Sequence, residues 1–251
     1  MPAEDLAVVV GAAQGIGEAI ARRLARGRQL VVADLNGDGA ASLAADLTAH
    51  GHACRSLQVD IGDPGSVAAL VEATAGAGQV AIAAGIFAAS PSMDVTPDEL
   101  HRILAVNLVG VYDVARSYAR TMAARGGGAI CAVGSIAARM PRMRQAAYSA
   151  SKAGMRQALR VLGMEVLPLG VRITLVAPGP TATPMMQDLA GDHHGIPLAT
   201  GDLAAMRPRI PDGRVGTPDD VAAAVQFLLS ADAAHVALHD LYVDGGESLG
   251  M

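Results

Sequence analysis

The residues best equipped for chemistry lie within 135–152. Tyr148 and Lys152 stand four apart, a spacing that puts both on one face of a helix. An ammonium beside a phenol stabilises the phenolate and is expected to lower the tyrosine pKa from about 10 towards working pH. Ser135, upstream, follows an apolar run of the buried-strand type. The three supply a base, its activator and an orienting hydroxyl. Taken alone, the same tyrosine–lysine pair also suits a solvated surface contact. The elements that would have to position it decide between the two.

Residues 6–10 form a short apolar run, followed by Gly11-Ala12-Ala13-Gln14-Gly15-Ile16-Gly17 and an amphipathic segment over 18–26. Strand, glycine turn and helix in that order is the context in which glycines let backbone approach a pyrophosphate at a helix N-terminus. A second apolar run, 30–34, ends in Asp34, with Leu35 and Asn36 after it. A carboxylate there can accept hydrogen bonds from an adenosine ribose and would repel a 2′-phosphate, so NAD is expected over NADP. Asp34 could equally cap the next helix. A helix is expected over 38–50 and a third strand over 56–59. Asp60 could accept from the adenine amine, with Ile61 packing on the ring, or could simply start the turn before Pro64. A helix over 66–75 leads to a fourth strand over 80–85, whose Gly85 would permit close approach to a cofactor.

Thr96-Pro97-Asp98-Glu99 reads as a capping box with proline at the first helical position. One helix is expected from residue 97 to about 125, carrying Asn107 inside it, either as a satisfied packing amide or as a water-holding group beside the site. A fifth strand over 129–133 delivers Ser135 to its C-terminal end, the edge where doubly wound sheets bind ligands. Helices over 149–167 and from about 217 to 229, and strands over 171–177 and 241–243, complete the pattern. Residues 181–211 hold four prolines and little periodicity, which reads as a functional lid containing Met185 and Met186. Asp192, His193 and His194 could bind a metal, but adjacent histidines in a loop are more often solvated; no metal is expected.

Length suits one large α/β domain over 1–251. The formal charge of −5 leaves no basic footprint for nucleic acid. Two cysteines make no disulfide framework. No apolar stretch reaches the ~20 residues that span a bilayer, and the chain reads as soluble and cytoplasmic.

Gly11 to Gly17, Asp60, Asn107, Ser135, Tyr148, Lys152 and Pro178-Gly179, in this order, resemble the short-chain dehydrogenase/reductase family over essentially the whole chain. The resemblance implies an α/β fold with a single Rossmann-type, doubly wound, seven-stranded parallel sheet, and a homotetramer. It also implies hydride transfer at nicotinamide C4 and cofactor contacts from the glycine loop, Ala84, Gly85, Pro178, Gly179 and Thr181. It implies that Tyr148 takes the alcohol proton and that Lys152 assists it and holds the nicotinamide ribose. Ser135 would orient the alcohol, and Asn107 would hold a water that relays protons. Pro141-Arg142-Met143 and the C-terminal stretch ending Asp244-Gly245-Gly246-Glu247-Ser248-Leu249-Gly250 are similar to the branch that oxidises 2,3-dihydro-2,3-dihydroxybenzoate in siderophore biosynthesis. That points to the C3 alcohol of a cyclohexadiene carboxylate as substrate. Arg142 would bind the carboxylate, and a solvent-facing loop arginine is the alternative. Rival readings are oxidation of trans-2,3-dihydro-3-hydroxyanthranilate, a general carbonyl reductase, and a non-enzymatic NAD-binding regulator. The chain departs from the family in strand four, where Ile82-Ala83 replace two asparagines.

Overall fold

The structure, a computed structural model, describes residues 6–186 and 199–249. Seven parallel strands form one sheet in the order β3-β2-β1-β4-β5-β6-β7. They are β1 (Leu6–Val10), β2 (Gln29–Asp34), β3 (Cys54–Gln58), β4 (Gln79–Ile82), β5 (Gly128–Val133), β6 (Val171–Pro178) and β7 (Asp240–Val243). The helices are α1 (Gly15–Leu24), α2 (Gly37–Ala49), α3 (Pro64–Ala73), α4 (Pro97–Leu104), α5 (Val111–Ala123), α6 (Ala146–Val166) and α7 (Pro218–Leu229).

Alternate residues of each central strand enter opposite cores. Val8 and Val10 pack with Val67, Leu70, Val114, Tyr118, Met155 and Leu159, from α3, α5 and α6. Ala7 and Val9 pack with Ile20, Leu24, Leu43, Leu47, Val221 and Val225, from α1, α2 and α7. Both sheet faces are therefore covered, as continuous Val/Ala/Ile runs require, and the fold is a doubly wound Rossmann-type sheet. The strand order reverses between β1 and β4, which opens a crevice at the C-terminal strand ends.

Three elements depart from expectation in ways that shape that crevice. β4 stops at Ile82, short of residue 85, because Ala83 and Ala84 both donate their N–H to Val10 O and the chain leaves the ladder. The helix expected over 97–125 is divided by a π-helical turn at Ala105–Gly110, which contains Asn107. Gly110 lies against the Ile61 backbone, where a Cβ would come within 2.5 Å of the carbonyl oxygen. α6 begins at Ala146 rather than 149, so Tyr148 sits in its first turn.

The capping box at Thr96 is half formed. Thr96 Oγ1 accepts from Glu99 N, but the Glu99 carboxylate accepts from Ser90 Oγ instead of returning to the cap. A complete box forms at Thr217 and Asp220, at the start of α7. In the expected lid, Asp202 and Arg207 exchange backbone hydrogen bonds across a tight loop. Asp192, His193 and His194 lie outside the described residues. Among the described residues no helix is long and apolar enough to cross a membrane.

Candidate active site

A cleft of about 800 Å³ runs along the C-terminal strand ends. At one end it is lined by Gly11, Gln14, Gly15, Ile16 and Gly17, with Asp34, Leu35, Asp60 and Ile61 beside them. At the other end stand Ser135, Arg142, Tyr148, Lys152, Met185 and Met186, with Ala84, Gly85, Pro178, Gly179 and Thr181 between. Of the site residues expected from sequence, only Asn107 does not line this cleft; it is fully buried behind it.

The glycine end has the features of an anion cradle. The caps of α2, α3, α4 and α7 each accept a hydrogen bond from their own first turn, whereas Gln14, at the cap of α1, makes none. The first amides of α1 therefore remain available where the helix dipole favours negative charge. Asp34 anchors the loop: its carboxylate accepts from Ala13 N and from Asn36 N, each at 2.9 Å. Each oxygen retains capacity for a further donor, such as a ribose hydroxyl. The cap of α2 is Asn36, which accepts from Gly39 N, so Asp34 is not the helix cap. Asp60 does start a turn, accepting from Gly62 N, and still borders the cleft. These features fit a dinucleotide.

At the other end, Lys152 Nζ donates to Val133 O at 3.0 Å and lies 5.9 Å from the centre of the Tyr148 ring. The Phe87 ring packs against the Tyr148 ring, with centroids 4.7 Å apart and planes tilted by 53°. Burial raises the Tyr148 pKa, and the Ser135 hydroxyl opposes this only in part. The expected lowering by Lys152 is thus not found. The ammonium sits over the ring rather than against the oxygen, and desolvation dominates. The same desolvation brings Lys152 down to about 8. Ser135 Oγ also caps a short turn, accepting from Ala137 N.

Asn107 is a satisfied buried amide. Its Oδ1 accepts from Ile86 N and its Nδ2 donates to Ile86 O, both at 2.8 Å, and Nδ2 also reaches Ser151 Oγ at 3.1 Å. Ser151 Oγ in turn donates to Tyr148 O at 2.7 Å. A Cβ on Gly85 would lie 3.2 Å from Asn107 Oδ1 and 3.5 Å from Lys152 Nζ, so this glycine keeps the gap between the two open.

Arg142 is not a solvent-facing loop arginine. Its guanidinium is buried and donates to Glu247 Oε1 at 2.7 Å. Glu247, Arg207, Ser151, Ile86 and Phe87 were missed by the sequence reading. Phe87, one of two phenylalanines in the chain, carried the only available signal. Ser151 differs from any helical serine only through its long-range partner, and Arg207 lies in a stretch without periodicity.

Residues 11–248 match the family model described as enoyl-(acyl carrier protein) reductase. The chain is 34% identical over 252 residues to the 2,3-dihydro-2,3-dihydroxybenzoate dehydrogenase of Bacillus subtilis, covering 98% of this chain and 97% of the relative. It is 36% identical over 249 residues to the vibriobactin-specific 2,3-dihydro-2,3-dihydroxybenzoate dehydrogenase of Vibrio cholerae, covering 96% and 95%. Among solved structures, a putative NAD(P)-dependent gluconate 5-dehydrogenase from Beutenbergia cavernae with bound NADP superposes with a TM-score of 0.88 at 32% identity, covering 100% of both chains. Fold, cleft and kinship agree over nearly the whole length, and the chain belongs to the short-chain dehydrogenase/reductase family of NAD(P)-dependent oxidoreductases.

Proposed function

We propose that this protein oxidises the C3 alcohol of a 2,3-dihydro-2,3-dihydroxybenzoate-type cyclohexadiene carboxylate with NAD, giving an aromatic catechol acid for siderophore or related secondary metabolism. The observation that carries this reading is the single cleft that joins the glycine loop and Asp34 to Tyr148 and Lys152, with the buried Arg142 on its wall. Kinship with two dehydrogenases of that name supports it.

NAD, when bound, accepts hydride at nicotinamide C4. The chain's own groups handle the proton and the orientation. Tyr148 takes the proton of the alcohol, and Ser135 positions the oxygen and donates to it as carbonyl character develops. The base is the Tyr148 phenolate with the Lys152 ammonium beside it; burial opposes each charge, raising the tyrosine and bringing the lysine down to about 8. Asn107 holds the segment at Ile86 and borders the gap beside Gly85 through which a water would relay protons to Lys152. Arg142 binds the substrate carboxylate. Asp34 selects NAD, since Leu35 and Asn36 bring no cation for a 2′-phosphate.

We read the whole chain as one catalytic domain with a lid at about 181–211, working in the cytoplasm as a homotetramer. Exposed Val109, Val161, Met164 and Phe227 on the helical faces support association. The test is incubation of purified protein with NAD and each of two acids, 2,3-dihydro-2,3-dihydroxybenzoate and trans-2,3-dihydro-3-hydroxyanthranilate, following NADH and aromatic product. The first acid should be turned over faster; no turnover of either would overturn the reading.

A further inference from the structure

Six buried side-chain atoms lack a hydrogen-bond partner among the described residues, and three belong to one cluster: Arg142 Nη1, Arg207 Nε and Glu247 Oε2. Arg142 Nη2 lies 2.7 Å from Glu247 Oε1, and Arg207 Nη2 lies 3.5 Å from the same oxygen. Glu247 is fully buried, and the side chains of Arg142 and Arg207 are 8% and 17% exposed. Both arginines line the cleft. Two guanidiniums therefore converge on one oxygen of one carboxylate, and neither is paired bidentately. One N–H-bearing atom of each guanidinium, Arg142 Nη1 and Arg207 Nε, is thus buried without an acceptor. The neighbouring acids do not make up the deficit: Asp244 accepts from Gly246 N and Ser248 N, and Asp202 from Ala204 N and Ala205 N.

Leaving buried cations under-coordinated is costly, and an anion of matching geometry removes that cost. The planar forks favour a carboxylate. Backbone pairing between Asp202 and Arg207 fixes the loop that presents the second fork.

We propose that Arg207 is the second prong of a carboxylate subsite, binding the acid group of the substrate together with Arg142, while Glu247 holds the two guanidiniums side by side. This rests on the dehydrogenase reading above and adds to it a reason for selecting acids over neutral alcohols or thioesters.

The test measures binding of benzoate and of benzamide by calorimetry to wild type, Arg207→Gln and Arg207→Lys, with kcat/KM for the dihydro acid and its methyl ester alongside. Wild type should prefer benzoate to benzamide by at least tenfold. Arg207→Gln should abolish that preference and raise KM for the acid about tenfold or more, with the ester little changed; Arg207→Lys should recover part of both. A benzoate preference that survives Arg207→Gln, or equal losses for acid and ester, overturns the proposal. A wild type that prefers benzoate through Arg207 yet oxidises neither dihydro acid keeps the subsite and removes the assigned substrate. Turnover of the acid indifferent to Arg207 does the reverse.

Discussion

Asn107 grips the backbone of Ile86 at two points, accepting from its N–H and donating to its carbonyl, each at 2.8 Å. The grip falls just beyond β4, where Ile82 and Ala83 stand in place of the family's paired asparagines. A side chain from the π-turn thus fixes a segment that has left the sheet ladder, and Phe87, the next residue, packs on Tyr148.

Asn107→Ala should therefore damage both stability and catalysis. Two backbone groups lose their partner, at about 1–3 kcal/mol each where water cannot replace it. The denaturation midpoint should fall, and kcat should fall more than KM rises. Unchanged kcat in a folded variant would remove Asn107 from any positioning role.

The pH dependence of stability isolates Lys152. Its folded pKa of about 8 lies below the ordinary 10.5. Below 8 both states carry the charge and the folded state bears the full desolvation cost. As pH rises from 8 towards 10.5 the unfolded chain binds more protons, so stability contributed at this site increases. Lys152→Met should be more stable than wild type at pH 7, by on the order of 3 kcal/mol at most. The difference should shrink from pH 8 upward and vanish only above pH 10.5. Denaturant titrations at pH 7, 8.5 and 10 check this, and a constant difference would contradict the assignment.

Asp34 carries two separable duties, cofactor choice and loop anchoring. Asp34→Ser should weaken NAD binding by about tenfold, narrow the gap to NADP, and lower stability by about 1–2 kcal/mol through the acceptors lost to Ala13 and Asn36. Titration with both reduced cofactors reads the first duty and thermal melting the second. Tighter NADP than NAD binding by the wild type would refute the carboxylate argument.

Far from the cleft, Thr74 Oγ1 lies 2.6 Å from the Tyr118 hydroxyl, both buried between α3 and α5. Burial pushes the Tyr118 phenol up to about 12. Thr74→Val leaves that hydroxyl unpaired and should cost about 1–3 kcal/mol. Adding Tyr118→Phe should recover most of the loss. Urea midpoints of the four proteins give the coupling, and strictly additive losses would mean the pair does not act as one.

The parts of the site legible in the sequence are those whose chemistry is local. The glycine loop reads from a strand, a turn and a helix in succession, Asp34 from its place at a strand end, and Tyr148 with Lys152 from a four-residue spacing. Parallel strands buried on both faces announce themselves as apolar runs, so the sheet was legible too. Arg142 and Glu247 are 105 residues apart, and no local pattern joins them. Asn107 was visible as a misplaced amide, but its partner at Ile86 depended on β4 ending early. The direction of the Tyr148 shift was misread for a related reason. Spacing places an ammonium near a ring, but the depth of burial, which decides the sign, belongs to the packed molecule.

The π-turn at Ala105–Gly110 carries one more residue per turn than an α-helix would. Removing a single residue there would let α4 and α5 fuse into an uninterrupted helix, a locally favourable outcome. The wider turn absorbs its extra residue without changing the phase of α5, so after such a deletion Val114 and Tyr118 would keep their places in the core and the loss would fall on Asn107 and its hold on Ile86. The extra residue serves the site rather than the core. Deletion there would leave the core packed and the site disordered, so an indel scan would find the active site's boundary in a helix that contributes no lining residue except Val106.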